Sequence, residues 1–380
     1  MKANLPPASG RIIFALLAGA AFAVSLVLTA QAQVPLDPQL AAMPVERRIT
    51  QAPVFTHPLV YIGEQAPDPT ESQDLWRAIE VLSQQGPRVG IPALELFAQT
   101  YSNSVWTPSL QNNLGFYYRN RGGYTLALQY WGAAWDATKL AESGRAKEVA
   151  DFALAHLTRL LANLGWSEEL QAMLQETWWR VLDAGPLEQI FELTKESFLG
   201  ARNEPQAAYR CGAQALSRVA GVLQPGNVNI PYLAEMPSPQ VGFSLSALTA
   251  LANQAGLNLV AVQRVRGQDL IVPSVVHWRV DHYAAITAVD GNRYKVEDTA
   301  LEQPIWMDIQ TINAQASGYF LIPLNQQRAG WTPRPHPKQT KSPVAGRCSS
   351  LSCPLALTMM TPNHARRTKM ATRTPIPTIL

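Results

Sequence analysis

The stretch Tyr209-Arg210-Cys211-Gly212-Ala213-Gln214-Ala215-Leu216 decides how the rest of the chain is read. Ala215, Leu216, Val219, Ala220 and Leu223 recur at helical spacing, so a helix is predicted to open at the Cys-Gly pair. Gly200 and Pro205 punctuate the approach. A thiol in the first turn of a helix feels the positive end of the macrodipole, which favours the thiolate. Thiolate is the nucleophilic form of cysteine. A lone cysteine is more often a small core residue, so the thiol needs company before it means catalysis. Two downstream segments supply it: Val280-Asp281-His282-Tyr283-Ala284-Ala285-Ile286 and Tyr294-Lys295-Val296-Glu297-Asp298. Each places a titratable side chain in a strand-like run. Cys211, His282 and Asp298 are thereby candidates for nucleophile, base and orienting acid, since spatial triads are assembled from separated segments.

From His282 outward the pattern stays β. Residues 257–262 and 274–278 read as strands, and 282–289 is an apolar strand ended by the hairpin signal Asp290-Gly291-Asn292. Residues 294–297 pair back, 305–307 form a short edge strand and 318–322 close the sheet. Before them, Ser244 is an N-cap for a helix carrying Leu248, Leu251 and Ala252, and Gly256 ends it. Two helices followed by an antiparallel sheet make an α+β domain over 201–325.

Upstream, helical periodicity dominates from 70 to 200. Thr70-Glu71-Ser72-Gln73-Asp74 starts a helix bearing Leu75, Trp76, Ile79 and Leu82, and Gly86-Pro87 stops it. Residues 92–101 form a second helix. Leu114-Gly115-Phe116-Tyr117-Tyr118, followed by Gly122, Tyr124, Ala127, Trp131 and Ala134, resembles the tetratricopeptide pattern. Gly115 and Ala127 would mark the close approach of two antiparallel helices, with the aromatics filling the space around them. Residues 146–163 and 167–176, split by Leu164-Gly165-Trp166, make a more degenerate hairpin, and 187–198 a further helix. A generic helical bundle fits the same pattern. If the module is a solenoid, its concave face is expected to bind a peptide or protein partner.

The ends differ from the body. Residues 1–32 read as a signal peptide: Lys2 and Arg11, an apolar run over 12–29, and Ala30-Gln31-Ala32 as a cleavage site before Gln33. An uncleaved membrane anchor is the alternative, and either way the body is expected in the periplasm or outside the cell. Residues 33–69 read as a linker with some extended packing, and His57 within them is assigned no role. Residues 326–380 are predicted to be a disordered, basic, Pro-rich tail, with Cys348 and Cys353 spaced for a small disulfide loop. The formal net charge of +3 comes from these ends. Two basic residues lie in the first 32 positions and nine from Gln326 on, with no acid among them. The remainder holds 20 basic against 28 acidic residues, net −8. A mildly acidic body argues against a nucleic-acid groove. No metal or other cofactor is expected.

The blocks over 205–325 resemble the C39-like cysteine peptidases, a papain-like group. Cys211-Gly212-x-x-Ala215-Leu216 is similar to that family's nucleophile helix, and Gly242-Phe243-Ser244-Leu245-x-x-Leu248 to its second helix. Val272-Pro273-x-x-x-His277-Trp278 and Asp281-His282-Tyr283 resemble the approach to its catalytic histidine. Glu297-Asp298-Thr299 resembles its Asp turn, with Thr299 in place of the usual proline. The resemblance implies Cys211 as nucleophile, His282 as base and Asp298 as the residue orienting the imidazole. It leaves His277 structural and the rival base, and makes Asp281 a solvated neighbour. The family's oxyanion glutamine would be Gln206, which lies five residues upstream of the cysteine, one fewer than the family spacing. The whole layout also resembles the front end of bacterial proteins that continue into Rhs/YD repeats. Relatives often cut leader peptides after a double glycine on cytosolic transporters. With no transporter segment here, another, extracytoplasmic peptide or protein substrate is expected. The alternatives are an inactive binding or accessory module, and acyl transfer on the same triad.

Overall fold

The computed structural model describes residues 36–227, 230–239 and 242–333; the segment expected to be a signal peptide and the Cys348 and Cys353 pair lie outside them. In chain order the helices before the sheet are α1 (Val45–Gln51), α2 (Pro69–Gln85), α3 (Pro87–Thr100), α4 (Thr107–Arg119), α5 (Tyr124–Thr138), α6 (Gly144–Leu164), α7 (Ser167–Thr177), α8 (Pro186–Asn203), α9 (Pro205–Ala208), α10 (Cys211–Leu223), α11 (Ile230–Ala234) and α12 (Leu245–Gln254). Two compact units result. The first takes the chain to Arg121 together with Leu126–Arg159 and Val181–Glu192; the second takes Gly122–Thr125, Leu160–Arg180 and the chain from Leu193. The sequence drew its boundary at 200, but α7, the end of α6 and most of α8 cluster with the sheet.

In the first unit the helix starts are written in side chains. The Asp68 carboxylate accepts from the amides of Thr70 and Glu71 at 2.7 and 3.1 Å, and Pro69 occupies the first turn, so α2 begins there. Leu75, Trp76, Ile79 and Leu82 face a core shared with Leu94, Phe97, Trp106 and Leu110. The segment expected to be a linker contributes to that core: α1 is helical, and Ile49 and Leu59 are fully buried. Its apolar residues are too widely spaced to show a period, and burial is set by α2 to α4 around them. His57 packs edge-on against Phe116 and Phe152, and burial lowers its pKa.

Gly115 sits where the sequence puts a close helix approach. A Cβ there would lie 2.6 Å from the Trp131 indole, whose N–H donates to the Asn112 carbonyl. Gly115→Ala is therefore expected to destabilise the protein by about 1–3 kcal/mol through overpacking, although alanine is the better helix former. Chemical denaturation checks the sign; a stabilised variant would contradict the packing.

The second unit carries a seven-stranded antiparallel sheet. Its strands are β1 (Leu259–Arg264), β2 (Ser274–Trp278), β3 (Tyr283–Asp290), β4 (Arg293–Glu297), β5 (Ile305–Asp308), β6 (Ala316–Pro323) and β7 (Trp331–Pro333), with α13 (Ile309–Gln315) leading into β6. The spatial order is β5-β4-β3-β2-β6-β1-β7. Together with the helical N-terminal region this is the predicted α+β layout of a papain-like domain. Leu216, Val219, Leu248 and Ala252 of α10 and α12 bury one sheet face against Val275, Ala285 and Leu321. The Ser244 hydroxyl accepts from the Ala247 amide at 3.2 Å and caps α12.

Two expectations are corrected. Residues 318–322 do not close the sheet: β6 lies inside it, pairing with β2 and β1. The tail expected from Gln326 is still ordered at its start. Trp331, 2% exposed, stacks edge-on with Phe320, and β7 pairs with β1. Three residues that follow Gly330 and end in Pro333 carry no β pattern of their own; the buried indole and the open edge of β1 recruit them.

Candidate active site

Cys211 is the first residue of α10, and the preceding Arg210 supplies no side-chain cap. The first-turn amides of the helix therefore keep their positive potential for another group. The thiol is half-buried and free. Two interactions fix the helix that carries it: packing on β3 and β2, and a 2.9 Å ion pair from Arg218 to Glu297 on β4.

His282 stands just before β3. Asp281 takes a left-handed turn, φ 52°, and the Trp278 amide donates to the His282 carbonyl at 2.8 Å. This tight reversal from β2 aims a 1%-exposed imidazole inward. Its Nε2 lies 2.6 Å from Asp298 Oδ1. An ionised carboxylate only accepts, so Nε2 is the donor. The other nitrogen, Nδ1, is buried and makes no hydrogen bond of normal geometry. It is the nitrogen left for the thiol, which interacts with His282 in both charge and hydrogen bonding.

Asp298 follows β4 and is buried. Besides His282 it receives the Ala300 amide on Oδ1 at 2.8 Å and the Trp278 indole N–H on Oδ2 at 2.9 Å. Burial alone would raise its pKa. The His282 charge and the hydrogen bonds from His282, Ala300 and Trp278 overcome it and hold the carboxyl below its usual range. Burial likewise opposes ionisation of His282, but the Asp298 and Cys211 charges push it up to about 10. For Cys211 burial raises the pKa; the His282 charge, its hydrogen bond and the Tyr283 amide outweigh that and lower it. The arrangement favours a thiolate–imidazolium pair with a buried carboxylate behind it.

The structure thus brings Cys211, His282 and Asp298 together. His277 stands apart. Ser317 donates its hydroxyl to the His277 carbonyl and accepts from Nδ1 at 2.9 Å, which fixes the proton on Nδ1. Burial and the neighbouring His282 charge lower His277 to about 4. Asp281 is partly enclosed rather than solvated, and burial raises it to about 6. Gln206 lies exposed on α9, with its backbone carbonyl engaged by the Ser238 amide at 3.0 Å. Among the described residues no cluster of three or more His, Cys, Asp or Glu side chains is placed to hold a metal.

The sequence reading missed two partners. Trp278 was quoted for its place beside His277, yet its indole reaches across twenty residues to Asp298. Tyr124, read only as a repeat aromatic, belongs to the second unit and stands edge-on to His282 at 6.4 Å. An indole in a fully buried strand that needs an acceptor was the only signal for the first. Nothing in the sequence pointed to the second.

The Peptidase C39 family matches residues 204–328, which are 125 of the 380 residues and contain the whole candidate triad. Among solved structures, the crystal structure of a double glycine motif protease from an AMS/PCAT transporter in complex with the leader peptide is similar at 16% identity. That likeness covers 33% of this chain and 86% of the other, at a TM-score of 0.26. No curated protein matches.

Proposed function

We propose that this protein is an exported cysteine peptidase that cleaves a peptide bond with Cys211, His282 and Asp298. The observation that carries the reading is the 2.6 Å bond from His282 to a buried, triply hydrogen-bonded Asp298, beside a cysteine whose pKa is lowered. In this reading the Cys211 thiolate attacks the scissile carbonyl. The carbonyl π electrons move to oxygen, and the Cys211 amide at the helix start donates to that oxyanion. The His282 imidazolium gives its proton to the leaving amine as the C–N bond breaks, leaving an acyl-enzyme. Neutral His282 then takes a proton from water, whose oxygen attacks the thioester. Collapse of that intermediate expels the cysteine sulfur as thiolate and restores the pair. Asp298 stays ionised throughout and holds the ring in position.

The finer parts of the proposal rest on sequence. The apolar stretch over 12–29 supports export to the periplasm or beyond, with an uncleaved anchor as the alternative. Leu114-Gly115 to Ala134 supports a tetratricopeptide-like module for a substrate or partner, and the order of segments supports an accessory role beside Rhs/YD-type repeats. The exposed position of Gln206 favours a second reading, a papain-like binding module without an oxyanion side chain.

Iodoacetamide alkylation of Cys211 as a function of pH separates the two. The peptidase reading expects a midpoint below the ordinary thiol value near 8.5 and rapid alkylation at pH 6. Peptide cleavage should then follow a bell. Its acid limb is protonation of the Cys211 thiolate, and its alkaline limb is loss of the His282 proton near 10. A thiol that stays inert below pH 8 leaves the binding module.

A further inference from the structure

The second unit holds a cavity of about 490 Å³, lined up to Tyr209, that the family match, which starts at 204, largely leaves out. Leu161 on α6, Leu170 on α7, Phe198 on α8 and Tyr209 give it apolar walls. Gly165, Gly200 and Ala201 line it as well, and their small side chains leave the space open. All of these residues belong to the second unit.

Two connections tie the cavity to the triad. Tyr209 packs on Gly165, where a Cβ would come within 3.1 Å of its ring, and it precedes Cys211 by two residues. Two residues of chain span at most about 7 Å. On the other side, the Trp166 indole donates to the Val280 carbonyl at 2.9 Å, two residues before His282. The Gly165-Trp166 corner is therefore bonded or packed against both arms that carry the reacting groups.

On the peptidase reading, we infer that this cavity is the specificity pocket and takes a large apolar side chain of the peptide, within four residues of the bond cleaved. An extended peptide rises about 3.4 Å per residue, so a chain seated on Cys211 reaches Tyr209 within that distance. The size suits a bulky side chain with adjoining backbone. The charged residues of the lining are Arg202, stacked over Phe198 at 5.8 Å, and Glu204, and both are exposed, whereas Leu161, Leu170 and Phe198 are buried.

The test uses the full chain and internally quenched peptides that carry Phe, Leu, Lys, Glu or Gly at each of four positions on either side of the cleaved bond. The wild type should prefer Phe or Leu at one position by about tenfold or more in kcat/KM. Ala201→Phe, and separately Ala162→Phe at another position of the lining, fill the cavity. Each should reduce that preference below about threefold. The alkylation midpoint of Cys211 should not move, which shows that the variant is folded and its nucleophile intact. The absence of an apolar preference in the wild type, or a preference that survives both fillings, overturns the inference. If the wild type cuts none of the peptides, fluorescence polarisation with Cys211→Ala and the same set decides. Apolar-selective binding lost in Ala201→Phe keeps the pocket while the peptidase reading falls; unselective or absent binding removes the pocket.

Discussion

His282→Ala should lower peptide cleavage by about 10³-fold and raise the alkylation midpoint of Cys211 above that of the wild type. Burial works against the thiolate at this position, and the charge and hydrogen bond of His282 do most to oppose it. With the ring gone, only the Tyr283 amide and the start of α10 still favour the anion. His277 cannot step in. Its Nδ1 is held by Ser317, and burial keeps it neutral to about pH 4. His277→Ala is thus a control that should leave the alkylation midpoint near the wild-type value. Stopped-flow alkylation and kcat/KM read both effects. An unchanged midpoint in His282→Ala would remove the ion pair from the account.

The second large effect is expected at Asp298. Asp298→Ala strands three buried donors at once: His282 Nε2, the Ala300 amide and the Trp278 indole. Breaking a buried pair of this kind costs about 3–5 kcal/mol, and urea unfolding should show it. The loss depends on pH. Asp298 is depressed in the fold, so its contribution is present above its ordinary value of 3.8 and lost as pH falls through the folded value. His282 is raised, so its contribution is present below 6.5 and lost as pH rises towards about 10. The gap between wild type and Asp298→Ala should be widest between about pH 4 and 6.5. Asp298→Asn is milder. With its oxygen on His282 and Ala300, its amide meets the Trp278 indole donor to donor, and adding Trp278→Phe should relieve that clash.

The α+β domain was legible because its signals are local. β4 follows from alternation and from the hairpin turn that joins it to β3, and α12 from Ser244 and Gly256. The three candidate site residues stood out in the sequence because each stands in a short block of recognisable chemistry. What escaped depends on distant partners. Trp331 is a strand residue only because β1 offers an edge, and α1 is buried only because α2 to α4 surround it. The unit boundary escaped for a similar reason. Residues 160–180 have the same helical period as those before them, and periodicity does not say which core a helix joins.

The place of β6 bears on how the molecule is made. The strands β5-β4-β3-β2 form one half of the sheet and β1-β7 the other, and β6 alone joins them. A chain emerging from its N-terminus carries Cys211, His282 and Asp298 before it has residue 316. At that stage β1 and β2 both present unpaired edges, and β2, buried along its whole length in the finished sheet, is an apolar one. Closure waits for a strand about sixty residues after its β1 partner, a pairing of high sequence separation and slow formation. The nascent chain therefore has every reacting group while its sheet is still open to other chains.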